Sequence, residues 1–151
     1  LGIQVDADLH FKSQICNAVS KAYQPATLIK RSFKSRDPQL LFRAFTVYVR
    51  PILEYNSPVW SPTYVTYIDV LEKVQRRFTK GLSGLKHLTY AERLHYLGAE
   101  TLELRRLKAD LTLVYKIIHE LINADFNSHF FFFFPQLDNA WQQPSPSKTA
   151  H

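Results

Sequence analysis

Tyr67-Ile68-Asp69-Val70-Leu71-Glu72-Lys73-Val74-Gln75-Arg76-Arg77-Phe78-Thr79-Lys80 is the stretch that decides the fold class. Tyr67, Leu71, Val74 and Phe78 step by four, three and four, which aligns them on one face of a helix with 3.6 residues per turn. Lys73, Arg76, Arg77 and Lys80 occupy the other faces, and Gly81 and Gly84 end the element. Apolar stripes of this period, bracketed by capping signals, recur over residues 8–122, whereas alternating strand patterns do not. The expectation is a mainly α protein: a bundle of about five helices over residues 1–122, a short N-terminal strand, and a low-complexity, disordered tail over 123–151.

Upstream, Leu1 to Val5 reads as the short strand, with Asp8 as N-cap of a helix carrying Phe11, Ile15, Ala18, Val19 and Ala22. Pro25 lacks a backbone donor and its ring crowds the preceding turn, so a break or kink is expected near Gln24, with helix resuming to about Phe33. Asp37-Pro38 supplies a capping carboxylate and a first-turn proline for a helix whose buried stripe is Leu41, Ala44, Phe45 and Tyr48. Pro51 permits one further turn to Tyr55. Ser57-Pro58-Val59-Trp60-Ser61-Pro62 reads as an extended connector with Trp60 plugged into the core.

Downstream, Thr89-Tyr90-Ala91-Glu92 is a capping box for a short helix bearing Leu94 and Leu97 and stopped at Gly98. Thr101 caps the last helix. There Leu104, Leu107, Leu111, Val114, Ile118 and Leu121 alternate steps of three and four to about Ile122, a stripe expected to form core. Beyond it, the five residues Phe130 to Phe134 cannot share one face of any regular element.

Composition narrows the function classes. At 151 residues, 46% hydrophobic and 21% charged, the chain has enough apolar material for one domain. No apolar run reaches membrane-spanning length and the start lacks the pattern of a signal peptide, so no membrane partner and an intracellular setting are expected. With no methionine anywhere, the sequence reads as a piece of a longer protein. A single cysteine, Cys16, excludes an internal disulfide and Cys-rich zinc sites. The formal net charge of +6 favours a polyanionic partner. No acid interrupts the basic residues between Phe11 and Arg36, and a second basic block holds Lys73, Arg76, Arg77, Lys80, Lys86, Arg93, Arg105, Arg106 and Lys108.

No catalytic constellation emerges from these residues. Asp6-Ala7-Asp8 has the spacing of a two-carboxylate metal motif but no third ligand nearby, and a helix cap is the better use of it. The six histidines form no zinc-binding helix pair, and neither a phosphate-cradling glycine loop nor a nucleophile elbow is present. The candidate binding residues are therefore Lys73, Arg76, Arg77 and Lys80 in one helix and Arg105, Arg106 and Lys108 in another. Clustered cations bind phosphates because each contact releases condensed counterions. The competing use is pairing with Glu72, Glu103 and Asp110 at helical spacing.

Several blocks are longer than periodicity demands: Leu1-Gly2-Ile3 with Asp6 and Leu9; Arg50-Pro51-Ile52-Leu53-Glu54-Tyr55 with Ser57-Pro58-Val59-Trp60; Leu71 to Lys80; and Tyr90, Glu92-Arg93-Leu94, Leu97-Gly98, Leu102-Glu103, Arg105-Arg106, Asp110-Leu111 and Val114-Tyr115-Lys116. In this order and spacing they resemble the region after the polymerase palm in reverse transcriptases of jockey-like non-LTR retrotransposons. Departures are Pro25 inside a helix, Ala109 for a glycine and Ala99-Glu100 for a Leu-Pro pair, and the tail has lost the pattern.

The resemblance implies a thumb-like helical module of an RNA-directed DNA polymerase. It would hold an RNA–DNA or DNA duplex through its phosphates, without sequence preference and together with the rest of the parent enzyme. The family's palm aspartates bind the catalytic Mg²⁺ ions and lie upstream of Leu1, so the resemblance implies no cofactor within this segment and no catalysis by it alone. Two other functions fit the same residues: a helical protein-interaction domain using the Leu104–Leu121 seam and the Phe tail, or a decayed transposon remnant without selected function.

Overall fold

The computed structural model describes residues 2–8, 10–119 and 121–122. Seven helices lie among the described residues: α1 (Lys12–Ser32), α2 (Pro38–Tyr48), α3 (Arg50–Glu54), α4 (Ser57–Trp60), α5 (Val65–Lys80), α6 (Tyr90–Tyr96) and α7 (Leu102–Ile118). The mainly α expectation holds. The chain divides into two compact units, Leu1–Val114 and Tyr115–His151. The tail expected over 123–151, Phe130–Phe134 included, lies outside the described residues.

The first unit is built on α1, which packs against α2, α3 and α5, while α2 packs on α3 and α5 on α6. Its core gathers Ile15, Ala22 and Ile29 of α1, Phe42 and Phe45 of α2, Leu53, Trp60, and Leu71, Val74 and Phe78 of α5. Phe45, fully buried, stacks on Phe42 at 5.7 Å between ring centroids and on Phe78 at 4.6 Å. Trp60 fills the core as expected, and its indole N–H donates to Tyr55 O at 2.7 Å.

The capping signals of α2, α6 and α7 form as read. Asp37 accepts from the amides of Gln39 and Leu40 at 3.2 and 3.3 Å. Thr89 and Glu92 form the reciprocal box, the Thr89 amide donating to Glu92 Oε2 at 2.7 Å. Thr101 Oγ1 accepts from Leu104 N at 3.1 Å. Gly98 takes a left-handed φ of +61°, which lets Ala99 N–H reach back to Leu94 O at 2.8 Å and end α6.

Six details differ from the sequence reading. Residues 2–6 form no strand, since the amide of Gln4 donates to the Gln14 side chain (3.1 Å) and not to a neighbouring strand. Asp6, not Asp8, takes a first-turn amide of α1, accepting from Ser13 N at 3.2 Å, and Phe11 turns the chain there at φ 51°. Helix α1 runs unbroken through Pro25, because Ala22, Ala26 and Ile29 hold both halves against the core and Thr27 Oγ1 donates to Tyr23 O beside the proline.

In α2 the buried arc turns toward Phe42 and Val49 and leaves Tyr48 62% exposed. Residues 57–60 make a helical turn, α4, not an extended connector; Pro58 presets the φ of its second residue and Asn56 enters it at φ 52°. The sixth difference is the largest. Helix α7 ends at Ile118, and Leu104, Leu107, Leu111 and Val114 are 40%, 54%, 60% and 49% exposed. The residues it buries are Leu102 and Arg106.

A polar seam joins α5 to α6 and to the start of α7. Glu72, 5% exposed, accepts the Tyr90 phenol on one oxygen and Leu102 N (2.9 Å) on the other. Gln75, fully buried, donates to Tyr90 Oη at 3.1 Å and to Glu100 O at 2.9 Å. Arg93 donates to Thr79 Oγ1 (3.2 Å) and Leu88 O (2.6 Å). In the second unit, Tyr115 and His119 hold their rings 4.1 Å apart at the end of α7.

Phe45→Ala removes the ring that joins α2 to α5 and is expected to cost about 3–5 kcal/mol of unfolding free energy, while Tyr48→Ala stays within about 0.5 kcal/mol of wild type. Urea unfolding of both variants checks the contrast.

Burial, and then the Glu72 hydrogen bond and charge, push the Tyr90 phenol well above its ordinary range. A raised folded-state pKa means the neutral form is favoured by folding. Its contribution is complete below the unfolded-state value near pH 10 and is lost as pH rises toward the folded-state value. Stability is therefore expected to fall above about pH 10, and to fall less steeply in Tyr90→Phe. Equal slopes in the two proteins would exclude this assignment.

Candidate nucleic-acid interface

The seven basic candidates separate sharply once folded. Arg105 is taken by Glu54: its Nε and Nη2 donate to the two carboxylate oxygens at 2.5 and 3.1 Å, which raises the guanidinium's pKa. Lys108 bonds Glu100, whose carboxyl is held below its ordinary range by that contact. Arg106 is 3% exposed and faces inward, with burial lowering its pKa against the opposing charges of Glu72, Glu103, Glu54 and Asp110. Neither of its Nη atoms has a hydrogen-bond partner among the described residues. Arg105 and Lys108 thus serve internal contacts, and Arg106 is buried.

The α5 cations lie at the surface. Lys73, Arg76, Arg77 and Lys80 are all exposed, since the inward positions of α5 are filled by Leu71, Glu72, Val74, Gln75, Phe78 and Thr79. Arg76 leans 3.7 Å from Asp69 and lies over the Tyr90 ring at 5.1 Å. Lys73, Arg77 and Lys80 have no carboxylate within salt-bridge distance among the described residues.

Arg77 faces a residue that was not among the sequence candidates. Lys30, from the last turn of α1, lies with Arg77 in a groove of about 260 Å³ whose walls are Tyr23, Thr27, Val74 and Phe78. No acid lines it. The Lys30 ammonium sits 4.9 Å from the Phe78 ring centroid, and the Arg77 guanidinium 5.9 Å from that of Tyr23. The Lys30 side chain reaches over Gly81, and a Cβ there would push the ammonium aside. Desolvation, and then the charge of Arg77, lower the Lys30 pKa.

This local field has a plain sequence origin. Helix α1 contains no Asp or Glu, and the two acids of α5, Asp69 and Glu72, precede its last two turns. Where the C-terminal halves of α1 and α5 meet, cations therefore confront cations. The acid-free run from Phe11 to Arg36 carried the signal, but a linear sequence does not reveal that Lys30 and Arg77 become neighbours.

Among the described residues, no three His, Cys, Asp or Glu side chains gather as a metal site. No described helix is long and apolar enough to cross a membrane.

No protein-family model matches the chain, and no solved structure matches it. It is similar to the uncharacterized protein B0403.1 of Caenorhabditis elegans, at 24% identity over 121 residues. The match covers 78% of this chain and 61% of that protein, so the chain spans about three fifths of its relative.

Proposed function

We propose that this chain is a thumb-like module derived from a non-LTR retrotransposon reverse transcriptase, and that it grips an RNA–DNA or DNA duplex through phosphate contacts on the α1/α5 face. The observation that carries the reading is the acid-free meeting of Lys30 and Arg77, flanked by the exposed Lys73 and Lys80. A half-buried ammonium beside a guanidinium raises the free energy of the folded protein, and a phosphate placed between them lowers it again. Backbone recognition without base readout suits a polymerase segment, which must accept every sequence. The module works in an intracellular setting with the rest of the parent enzyme. It supplies grip, while nucleotide addition depends on palm aspartates holding Mg²⁺ elsewhere in such an enzyme.

A second reading, a helical protein-interaction domain, is favoured by one observation: the outward apolar face of α7, where Leu107 and Leu111 are 54% and 60% exposed. Association through that face would be insensitive to salt and lost in a Leu107→Ser/Leu111→Ser variant. Duplex binding would decline with salt. The third reading, a decayed remnant, predicts neither.

Duplex affinity measured between low and moderate salt tests the proposal. The log–log slope should carry about −0.9 per phosphate contact on a B-form duplex, independent of sequence. Arg77→Ala should reduce the slope by about one, and Arg76→Ala, tied to Asp69 and Tyr90, by less. Lys30→Met should weaken binding while leaving the melting temperature equal to or above wild type, because it removes the repulsion with Arg77. Unchanged affinity and slope in both Arg77→Ala and Lys30→Met would end this reading.

A further inference from the structure

A second cleft, of about 630 Å³, opens between α2 and the turn joining α6 to α7. Three arginines from different elements line it: Arg43 of α2, Arg50 at the start of α3 and Arg105 of α7. Two carboxylates also line it, and both are engaged. Asp37 caps α2 through the amides of Gln39 and Leu40, and Glu100 bonds Lys108.

Glu54 pairs with two of these arginines. Arg105 satisfies both of its oxygens, at 2.5 and 3.1 Å, and this bidentate pair alone suffices to tie α3 to α7. Arg50 is superfluous to that clamp, since its Nε stays 3.9 Å from the same carboxylate. Two guanidiniums therefore share one carboxylate. Arg43, exposed on α2, has no carboxylate within salt-bridge distance among the described residues. Arg43 is thus the cleft arginine without a carboxylate partner, and Arg50 shares Glu54 with Arg105, so both keep unused N–H donors on planar groups. Consistent with this, burial and the nearby charge of Arg105 lower the Arg50 pKa, against the opposing effect of Glu54.

We infer that this cleft is an oxyanion site that binds a phosphate group between Arg43, Arg50 and the outer edge of Arg105. Phosphate is the chemistry that fits. It accepts hydrogen bonds from guanidinium forks in pairs, and its charge balances the unpaired Arg43 without displacing Glu54 from Arg105. The site is separate from the Lys30–Arg77 groove and does not depend on the reading given to it.

The test is the response of the full chain to inorganic phosphate, compared with chloride at equal ionic strength. Phosphate is expected to raise the melting temperature progressively with its concentration, as linkage requires for a ligand of the folded state. Arg43→Gln, a change at an exposed position, should weaken phosphate binding about tenfold or more, and Arg43→Lys should restore part of it. In Lys30→Met/Arg77→Ala, phosphate should still shift the Arg43 and Arg50 Nε resonances, which separates this site from any phosphate held in the Lys30–Arg77 groove and its failure from failure of the duplex reading.

In the wild-type chain, phosphate should shift the ¹⁵N–¹H Nε resonances of Arg43 and Arg50, a readout that needs no variant. A short duplex added to the phosphate-loaded protein identifies the source of the anion. Displacement of phosphate assigns the site to a nucleic-acid backbone, and retention assigns it to free phosphate or a phosphomonoester. An identical phosphate response in wild type and Arg43→Gln would reduce the effect to general salting-out and overturn the proposal. Unmoved Arg43 and Arg50 resonances would overturn it equally.

Discussion

A buried carboxyl group ties the separate helices of the first unit together. Glu72 lies on the inward face of α5 and accepts from two elements distant in sequence, the Tyr90 phenol of α6 and the first amide of α7. Burying such a group is costly unless its oxygens are occupied, so the position of one element constrains the others. If α6 shifts, Tyr90 leaves Glu72; if α7 shifts, the Leu102 amide does. Gln75, one turn along, repeats the linkage through Tyr90 and the Glu100 carbonyl. Helix α5 thus supplies two kinds of adhesion at once, apolar burial through Leu71, Val74 and Phe78 and directional bonding through Glu72, Gln75 and Thr79. Its remaining surface is left free for cations.

Local chemistry was the readable part of the fold. Asp37, Thr89, Thr101 and Gly98 act within three or four residues of themselves, and each does in three dimensions what its sequence neighbourhood dictates. Where the outcome depended on a distant partner, the sequence was silent or misleading. Pro25 disfavours helix locally, yet a continuous row of Ala22, Ala26 and Ile29 against the core outweighs one lost hydrogen bond. Asp8 is as good a cap as Asp6 by residue type, and only the path of the chain into Phe11 selects Asp6. Gln75 and Glu72 carry no sequence mark of burial, because polar residues become interior only when partners from other elements arrive to meet them.

Helix α7 shows the same limit more severely. Periodicity established that Leu104, Leu107, Leu111 and Val114 share a face, and they do. It could not say which side of the helix meets the rest of the unit. Leu102 and Arg106 take that side, with Asp110 and Leu113 half-buried after them. The choice follows from the anchors at the helix start. Thr101 caps it, Glu72 receives its first amide and Arg105 grips Glu54, so its rotation is fixed before the leucines are reached. An amphipathic stripe predicts an apolar contact, but an intramolecular one only when the helix is free to turn toward the core.

The arginines carry the same argument into function. Arg76, Arg77, Arg93, Arg105 and Arg106 are one residue type in one basic block, and the sequence reading takes all but Arg93 as candidate phosphate donors. Folded, Arg93 and Arg106 are interior, Arg105 is committed to Glu54, Arg76 leans on Asp69 and Tyr90, and Arg77 faces Lys30 across a groove that no acid lines. Net charge attracts polyanions at a distance, but a phosphate binds where donors are unspent and the nearest charge has the same sign. By that criterion the informative feature of this chain is the distribution of its thirteen acidic residues more than that of its nineteen basic ones. Helix α1 has no acid, so Lys30 and Arg77 have no carboxylate partner there, whereas every acid at the Arg43–Arg50–Arg105 cleft is already occupied.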